Sequence, residues 1–171
     1  MRSILLLPIA MLLSSCVTPI QPTPYQPNGF GGGFTETQLD TNVFKVTFRG
    51  NGVTHADRAE DMALLRSADL TLQHGFTHFA IIDSKDREKH VGFTTPTQSL
   101  TSFNATAYGN TAYGTAHTTN YGGQTFHISK PSTTNTIMCF NGKPDINGLV
   151  YDARFICNSL GSKYEVACSS H

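Results

Sequence analysis

Hydrophobic and polar residues alternate with period two in several stretches of the chain, and with helical spacing in two others. Phe44, Val46 and Phe48 alternate with Lys45 and Thr47, the pattern of a strand with one buried face. Phe34 to Leu39 precedes it across Asp40-Thr41-Asn42, so the two segments predict a hairpin. From Thr54 to His74, Ala59, Met62, Leu65, Ala68 and Leu72 recur at helical spacing. Thr54 is a candidate cap, with Asp57 at the capping-box distance, and Gly75 is a natural stop. Phe76 to Asp83, with Phe79-Ala80-Ile81-Ile82 at its centre, predicts a strand. A strand–helix–strand order with so long a helix predicts that the two flanking strands are parallel neighbours. Ser84 to His90 is charged and reads as a turn or an exposed edge.

Farther along, Gln124 to Lys130 predicts a strand, Pro131-Ser132 a turn, and Thr134 to Asn141 a second strand. In the latter, Ile137-Met138-Cys139-Phe140 is apolar on both faces, which marks a central position. Leu149 to Leu160 predicts a short helix ended by Gly161. The fold class expected is α+β: a mainly antiparallel, partly mixed β-sheet with two helices packed on one face.

Residues 93–123 interrupt this scheme. They are nearly free of charge and rich in Thr, Ala, Asn, Tyr and Gly. Thr106-Ala107-Tyr108-Gly109 recurs as Thr111-Ala112-Tyr113-Gly114. Two copies are too few for a solenoid. The segment is either a hairpin turned at Gly109-Asn110 or a mobile loop.

The N-terminus supplies the most specific signal. One positive charge at Arg2, a short apolar run from Ile4 to Leu13, and Leu13-Ser14-Ser15-Cys16 describe an export signal that ends in a lipobox. The apolar run is too short to cross a bilayer. A cysteine thiolate is nucleophilic enough to take a thioether-linked diacylglycerol. The expected division is a signal peptide over 1–15, a lipidated Cys16 with a flexible tether over 16–33, and a single α+β domain over 34–171. A docked extended segment is the alternative for the Pro/Gly-rich tether. Val17, in place of the aspartate that retains such proteins at the inner membrane, favours the outer membrane, with the periplasmic face preferred. The lipid makes the membrane a partner.

Of the 171 residues, 12 are Lys or Arg and 12 are Asp or Glu. Without a basic excess nucleic acid is not an expected partner, and no basic run points to lipid binding by charge. Cys139, Cys157 and Cys168 remain after lipidation. An oxidising compartment allows one bridge. Cys157 with Cys168 is the preferred candidate; Cys139 with either one, or no bridge at all, are the alternatives. His74 and His78 have a helical ligand spacing, but Gly75 breaks the helix between them. No metal-ligand, dinucleotide, P-loop or nucleophile-elbow motif is present. No metal, cofactor or catalytic residue is therefore expected, and the chain is read as non-catalytic.

Two further sets of residues carry a resemblance. The first is Arg49-Gly50-Asn51, the helix from Asp61 to Leu72, and Phe79-Ala80-Ile81-Ile82-Asp83. The second is Phe140-Asn141-Gly142-Lys143-Pro144 with Tyr151-Asp152-Ala153-Arg154. Together they resemble a family of small proteobacterial lipoproteins with a lipobox, a Pro/Gly-rich tether and a Gly/Tyr-rich insertion before the last strands. The resemblance covers most of the mature chain. Here the insertion is Thr/Asn-rich instead, and the extra cysteines are a further departure. It implies a location and a fold, with no chemistry attached. Arg66 and Arg154, each with an aspartate nearby (Asp69, Asp152), read as fold-locking ion pairs or surface arginines, or alternatively as a site for a carboxylate-bearing partner. The leading functional reading is an envelope component that docks other envelope proteins. The alternative is a binding module for peptidoglycan or glycan, with Tyr108, Tyr113 and Tyr121 as stacking residues.

Overall fold

The computed structural model describes residues 19–169. Cys16 and the signal segment lie outside the described residues. The elements are β1 (Gly33–Asp40), β2 (Val43–Arg49), α1 (Ala56–Gln73), β3 (His78–Thr94), β4 (Gln98–Tyr108), β5 (Thr111–Tyr121), β6 (Thr125–Phe140), β7 (Val150–Asp152) and α2 (Ala153–Tyr164). The fold is α+β. A five-stranded sheet has the order β1-β2-β6-β3-β7, and β4 and β5 form a separate two-stranded sheet.

All adjacent strands in both sheets are antiparallel. The strands flanking α1 are therefore not the parallel neighbours predicted from their order. They run in the same direction, but β6 lies between them and pairs with both. An eighteen-residue helix can cross two strand positions as readily as one, and the apolar centre of β6 has the stronger claim to the central slot. Ile137 and Cys139, both fully shielded, meet Phe44 on β2 and Phe79 on β3 across this seam.

Of the two readings for Ser84 to His90, the exposed edge holds and the turn does not; Pro131-Ser132 is likewise not a turn. β3 and β6 continue through both as a long antiparallel ribbon, with Lys85 opposite Thr134 and Glu88 opposite Pro131. A proline is tolerated in a strand where its missing N–H faces no ladder partner. The Pro131 carbonyl accepts from Gly50 N–H at 2.8 Å, just past the end of β2. The N side of Pro131 thus faces a loop instead of β3.

Helix α1 packs its apolar face on β2, β6 and β3, and α2 packs against α1. Ser67 and Thr71 are buried within α1, and their hydroxyls donate to the Ala63 and Ser67 carbonyls, at 2.8 and 2.7 Å. These local bonds remove the cost of burying two polar groups. Thr54 does not cap the helix. His55 stands at the cap without a side-chain bond, and the Thr54 hydroxyl bonds Asn51 Oδ1 at 2.8 Å. Gly75, at φ +80, ends α1 as predicted, with Phe76 N–H reaching the Thr71 carbonyl.

Gly161 does not end α2, which starts and finishes later than its periodicity suggests. Asp152 caps it by accepting from Phe155 N–H at 2.9 Å. A Cβ on Gly161 would lie 2.6 Å from the Val166 carbonyl oxygen. This glycine is therefore needed for the close return of the C-terminal tail.

The segment read as a flexible tether is docked from Gln21 onward. Thr23 is fully buried, its hydroxyl donates to the Gly31 carbonyl, and its N–H donates to Thr54 Oγ1. Tyr25 packs on Phe34 with ring centroids 4.9 Å apart. Prolines keep this stretch extended, which lowers the entropy lost on docking.

Candidate functional site

Three surfaces or clusters collect the chemistry-bearing residues. The first is the projecting ribbon. β3 and β6 run beyond the body of the sheet and lead, through Thr95 and the left-handed Gly122 and Gly123, into β4 and β5. Residues 93–123 are thus built mainly as a hairpin. The Thr-Ala-Tyr-Gly copies lie on opposite arms of its tip, with Ala107 opposite Ala112 and Tyr108 opposite Thr111. Gly109 is the first of two turn residues and has φ +58, the conformation for which glycine is favoured in tight hairpins. Cross-strand hydroxyl pairs such as Thr101–Thr118, at 2.9 Å, support the ladder.

Pairing places Tyr108, Tyr113 and Tyr121 on one face of this hairpin. They are 76%, 71% and 59% exposed. Tyr108 and Tyr113 are diagonal neighbours at the tip. Tyr121 lies eight residues along β5, about 27 Å away at 3.4 Å per residue. Phe103 crosses the opposite face over Gly114, where a Cβ would meet its ring at 2.7 Å. No Asp, Glu, Lys or Arg occurs between His90 and Ser129.

The second surface is the sheet face turned away from the helices. Period-two geometry sorts charge here in a way that net charge conceals. In β3, Asp83, Lys85, Arg87 and Lys89 point to the open face, and Ser84, Asp86, Glu88 and His90 to the other. Lys45, Thr47 and Arg49 of β2 and Ser132, Thr134 and Thr136 of β6 share the open face. Cross-strand rows then read Lys45–Thr136–Asp83, Thr47–Thr134–Lys85, Arg49–Ser132–Arg87 and Lys130–Lys89. A column of hydroxyls is flanked by cations. Lys85 pairs with Asp83 at 2.9 Å. Among the described residues the other five cations make no ion pair. Two adjoining concavities of about 250 and 450 Å³ lie along this face, with Glu88 at the rim of the larger. Sequence reasoning that counted charges missed this surface. Its signal was the alternation of Lys85-Asp86-Arg87-Glu88-Lys89.

The third cluster is buried and centres on Arg66. Its guanidinium lies 2.7 Å from Glu36 Oε2 and 2.7 Å from Asp69 Oδ2, and stacks over Phe34 at 4.4 Å. Tyr25 hydroxyl donates to Asp69 Oδ2 at 2.8 Å, and Ser169 N–H donates to Asp69 Oδ1 at 2.8 Å. One aspartate thus ties the N-terminal segment, α1 and the C-terminal tail together, and Arg66 adds β1. With every polar partner filled, this hub is structural. Arg154 makes no ion pair among the described residues, since Asp152 caps α2 instead.

Burial, followed by the Asp69 charge, pushes the Tyr25 phenol well above its ordinary value of 10.0. A raised folded-state value means that this stability is complete below pH 10 and is lost as pH rises toward the folded value. In the Tyr25→Phe variant, alkaline destabilisation above pH 10 is expected to flatten, and stability at neutral pH to fall by about 1–2 kcal/mol through the lost bond to Asp69. Urea melts at pH 7 and above pH 10 check both; parallel pH profiles in the two proteins would refute the assignment.

Cys157 and Cys168 are bonded, with Cα atoms 6.0 Å apart. Cys139 is a buried free thiol against Thr71 Oγ1 at 3.4 Å, and burial raises its pKa. His74 ends α1 and His78 opens β3, and no group of three or more His, Cys, Asp or Glu suited to a metal occurs among the described residues. Ser129, His127, His55 and Glu88 line one concavity, but the buried Ser129 hydroxyl has no hydrogen-bond partner. The base contact that activates a serine nucleophile is not made there. No protein-family model, curated protein or solved structure matches the chain.

Proposed function

We propose that this chain is a non-catalytic lipoprotein of the bacterial outer membrane, held through lipid on Cys16, that joins other envelope proteins through its projecting ribbon. The observation that carries the reading is the β4–β5 hairpin. It is uncharged, exposed on both faces and, among the described residues, unpaired along both outer edges. Proteins that do not use such edges blunt them with lysine, proline or a covering element. None of these lies within β4 or β5, and free edges with aromatic faces suit strand addition by a partner. The resemblance to small proteobacterial lipoproteins and the lipobox support the location. Tyr108 and Tyr113 alone neighbour each other as stacking rings, with Tyr121 about 27 Å away, whereas the free edges run the length of both strands, which favours the protein partner.

The test has two arms. Photocrosslinkers at Tyr108 and Tyr113 in intact cells should give discrete adducts with one or a few envelope proteins, which a crosslinker at the exposed Phe155 does not give. Deleting residues 98–121 and joining Thr97 to Gly122 should leave the body folded and abolish co-purification of those proteins. Crosslinking that returns only monomer would remove the docking role. The Cys16 peptide of the envelope-bound protein should carry the mass of a diacylglycerol; an unmodified Cys16 would remove the anchor.

A further inference from the structure

We infer that the cationic open face of the five-stranded sheet seats on an anionic lipid surface, with lipid phosphates held along the column of Thr136, Thr134 and Ser132. The inference rests on the proposed lipid anchor for its orientation, and on the sheet geometry for its chemistry.

The cations stand where they do against an energetic cost. Lys89 and Lys130 lie directly opposite each other, a placement that destabilises an antiparallel pair. Arg49 and Arg87 flank Ser132, about 10 Å apart across two strand spacings. Rows repeat at about 7 Å along the strands. Asp86 and Glu88 alternate toward the other face, with Glu88 reaching the rim of the larger concavity, and Asp83 offsets Lys85 alone, so the five other cations of the open face keep an excess of positive charge. A phosphate set over Ser132 would meet a hydroxyl donor between two guanidinium groups, the group best matched to phosphate oxygens.

Beyond the last cationic row the same ribbon face turns apolar. Val91 lies opposite Ile128, and Phe93 opposite Phe126. Phe93 and Phe126 are both at least half exposed. A basic band beside an aromatic and aliphatic band is the pattern of a surface that lies in a membrane interface. A nucleic-acid groove interleaves its aromatics with cations that track the backbone, whereas here the cationic rows and the aromatic rows are separate bands.

The position of the chain end agrees. The docked N-terminal segment is held at the Asn51–Thr54 turn, next to Arg49, with Asn51 Nδ2 donating to the Gln21 carbonyl at 2.7 Å. Only four residues lie between Cys16 and Gln21, a span of five residue-to-residue steps. Fully extended, they reach at most about 18 Å. A lipidated Cys16 therefore holds the Arg49 end of the face close to the bilayer.

The experiment uses the Cys16→Ser chain, which cannot carry the lipid, and flotation with vesicles of phosphatidylcholine alone or with about one-third phosphatidylglycerol. The leader, whose Arg2 is itself cationic, is common to every variant, so its attachment cancels when the unmodified face and the glutamine pairs are compared on the same vesicles. Binding should favour the anionic vesicles and fall as salt shortens the Debye length. Arg49→Gln with Arg87→Gln should weaken that binding roughly thirtyfold, about fivefold per charge. Arg49→Lys with Arg87→Lys should restore most of it. Lys89→Gln with Lys130→Gln should weaken it similarly while leaving thermal stability equal or higher, which shows that those lysines do not hold the fold.

Equal binding to both vesicles, or no effect of the glutamine pairs, would overturn the inference. So would tighter binding to a random DNA duplex, or full displacement by millimolar inorganic phosphate, which would reassign the face to nucleic acid or a free anion. The mass of the Cys16 peptide from the unmodified gene tests the anchor separately. A lipid-free Cys16 would overturn the proposed function even where flotation succeeds.

Discussion

Arg66→Leu is expected to destabilise the protein by about 3–5 kcal/mol, the range found when one partner of a buried ion pair is removed. The loss is large because of what remains. Asp69 is 3% exposed and would keep only the Tyr25 hydroxyl and the Ser169 N–H as partners. Glu36 is partly open to solvent and contributes less, since water screens it. The Phe34 ring would also lose its cation. Arg66→Lys should fall between, because an ammonium cannot hold two carboxylates with the geometry of a guanidinium. The measurement is a denaturant melt of each variant, with a fall in Tm on the order of 10 °C for the leucine form. A change below about 1 kcal/mol would show that the hub is marginal to the fold.

Removing the Cys157–Cys168 bond as an alanine pair is the second large effect, about 3 kcal/mol from the loop entropy of an eleven-residue separation. Its consequence extends beyond the loop. The bond holds the tail where Val166 N–H meets the Gly161 carbonyl and Ser169 meets both Asp69 and Gln73. Loss of the bond therefore loosens one of the remaining partners of Asp69. The alanine pair and Arg66→Leu should combine non-additively, with less than the summed loss, because both act through Asp69. Additive losses within about 0.5 kcal/mol would show that the tail and the hub are independent. Reduction of the unmodified chain should reproduce the alanine pair.

The local elements were legible wherever a side-chain period dominated. The strand at Phe44, Val46 and Phe48, the helix through Met62 and Leu65, and the apolar strand at Ile137 to Phe140 each form near where their patterns place them. So does the α+β class. Less legible were features set by a partner distant in sequence. Thr54 reads as a cap, yet it bonds Asn51 and Thr23 because the N-terminal segment folds back over the turn. Pro131 reads as a turn, yet it continues a strand because β2 ends beside it. Gly161 reads as a stop, yet it gives the returning tail room. The charged run from Ser84 to His90 reads as a turn or an exposed edge; it is an exposed strand, and pairing with β6 sends Lys85, Arg87 and Lys89 to one face and Asp86 and Glu88 to the other.

The amino-acid sequence by itself determined the periods that make each element, the charge-free stretch and its repeated Thr-Ala-Tyr-Gly, and the short apolar run that ends in Leu13-Ser14-Ser15-Cys16. Only the tertiary structure decided which strands are neighbours, that the Pro/Gly-rich segment is docked from Gln21 onward, and that six of the cations share one sheet face. The physical reason is the range of the forces involved. Backbone sterics and side-chain period act over a few residues. Strand order, shielding of a buried charge and the summed field of a face depend on groups that meet only after the chain has closed loops of up to a hundred residues.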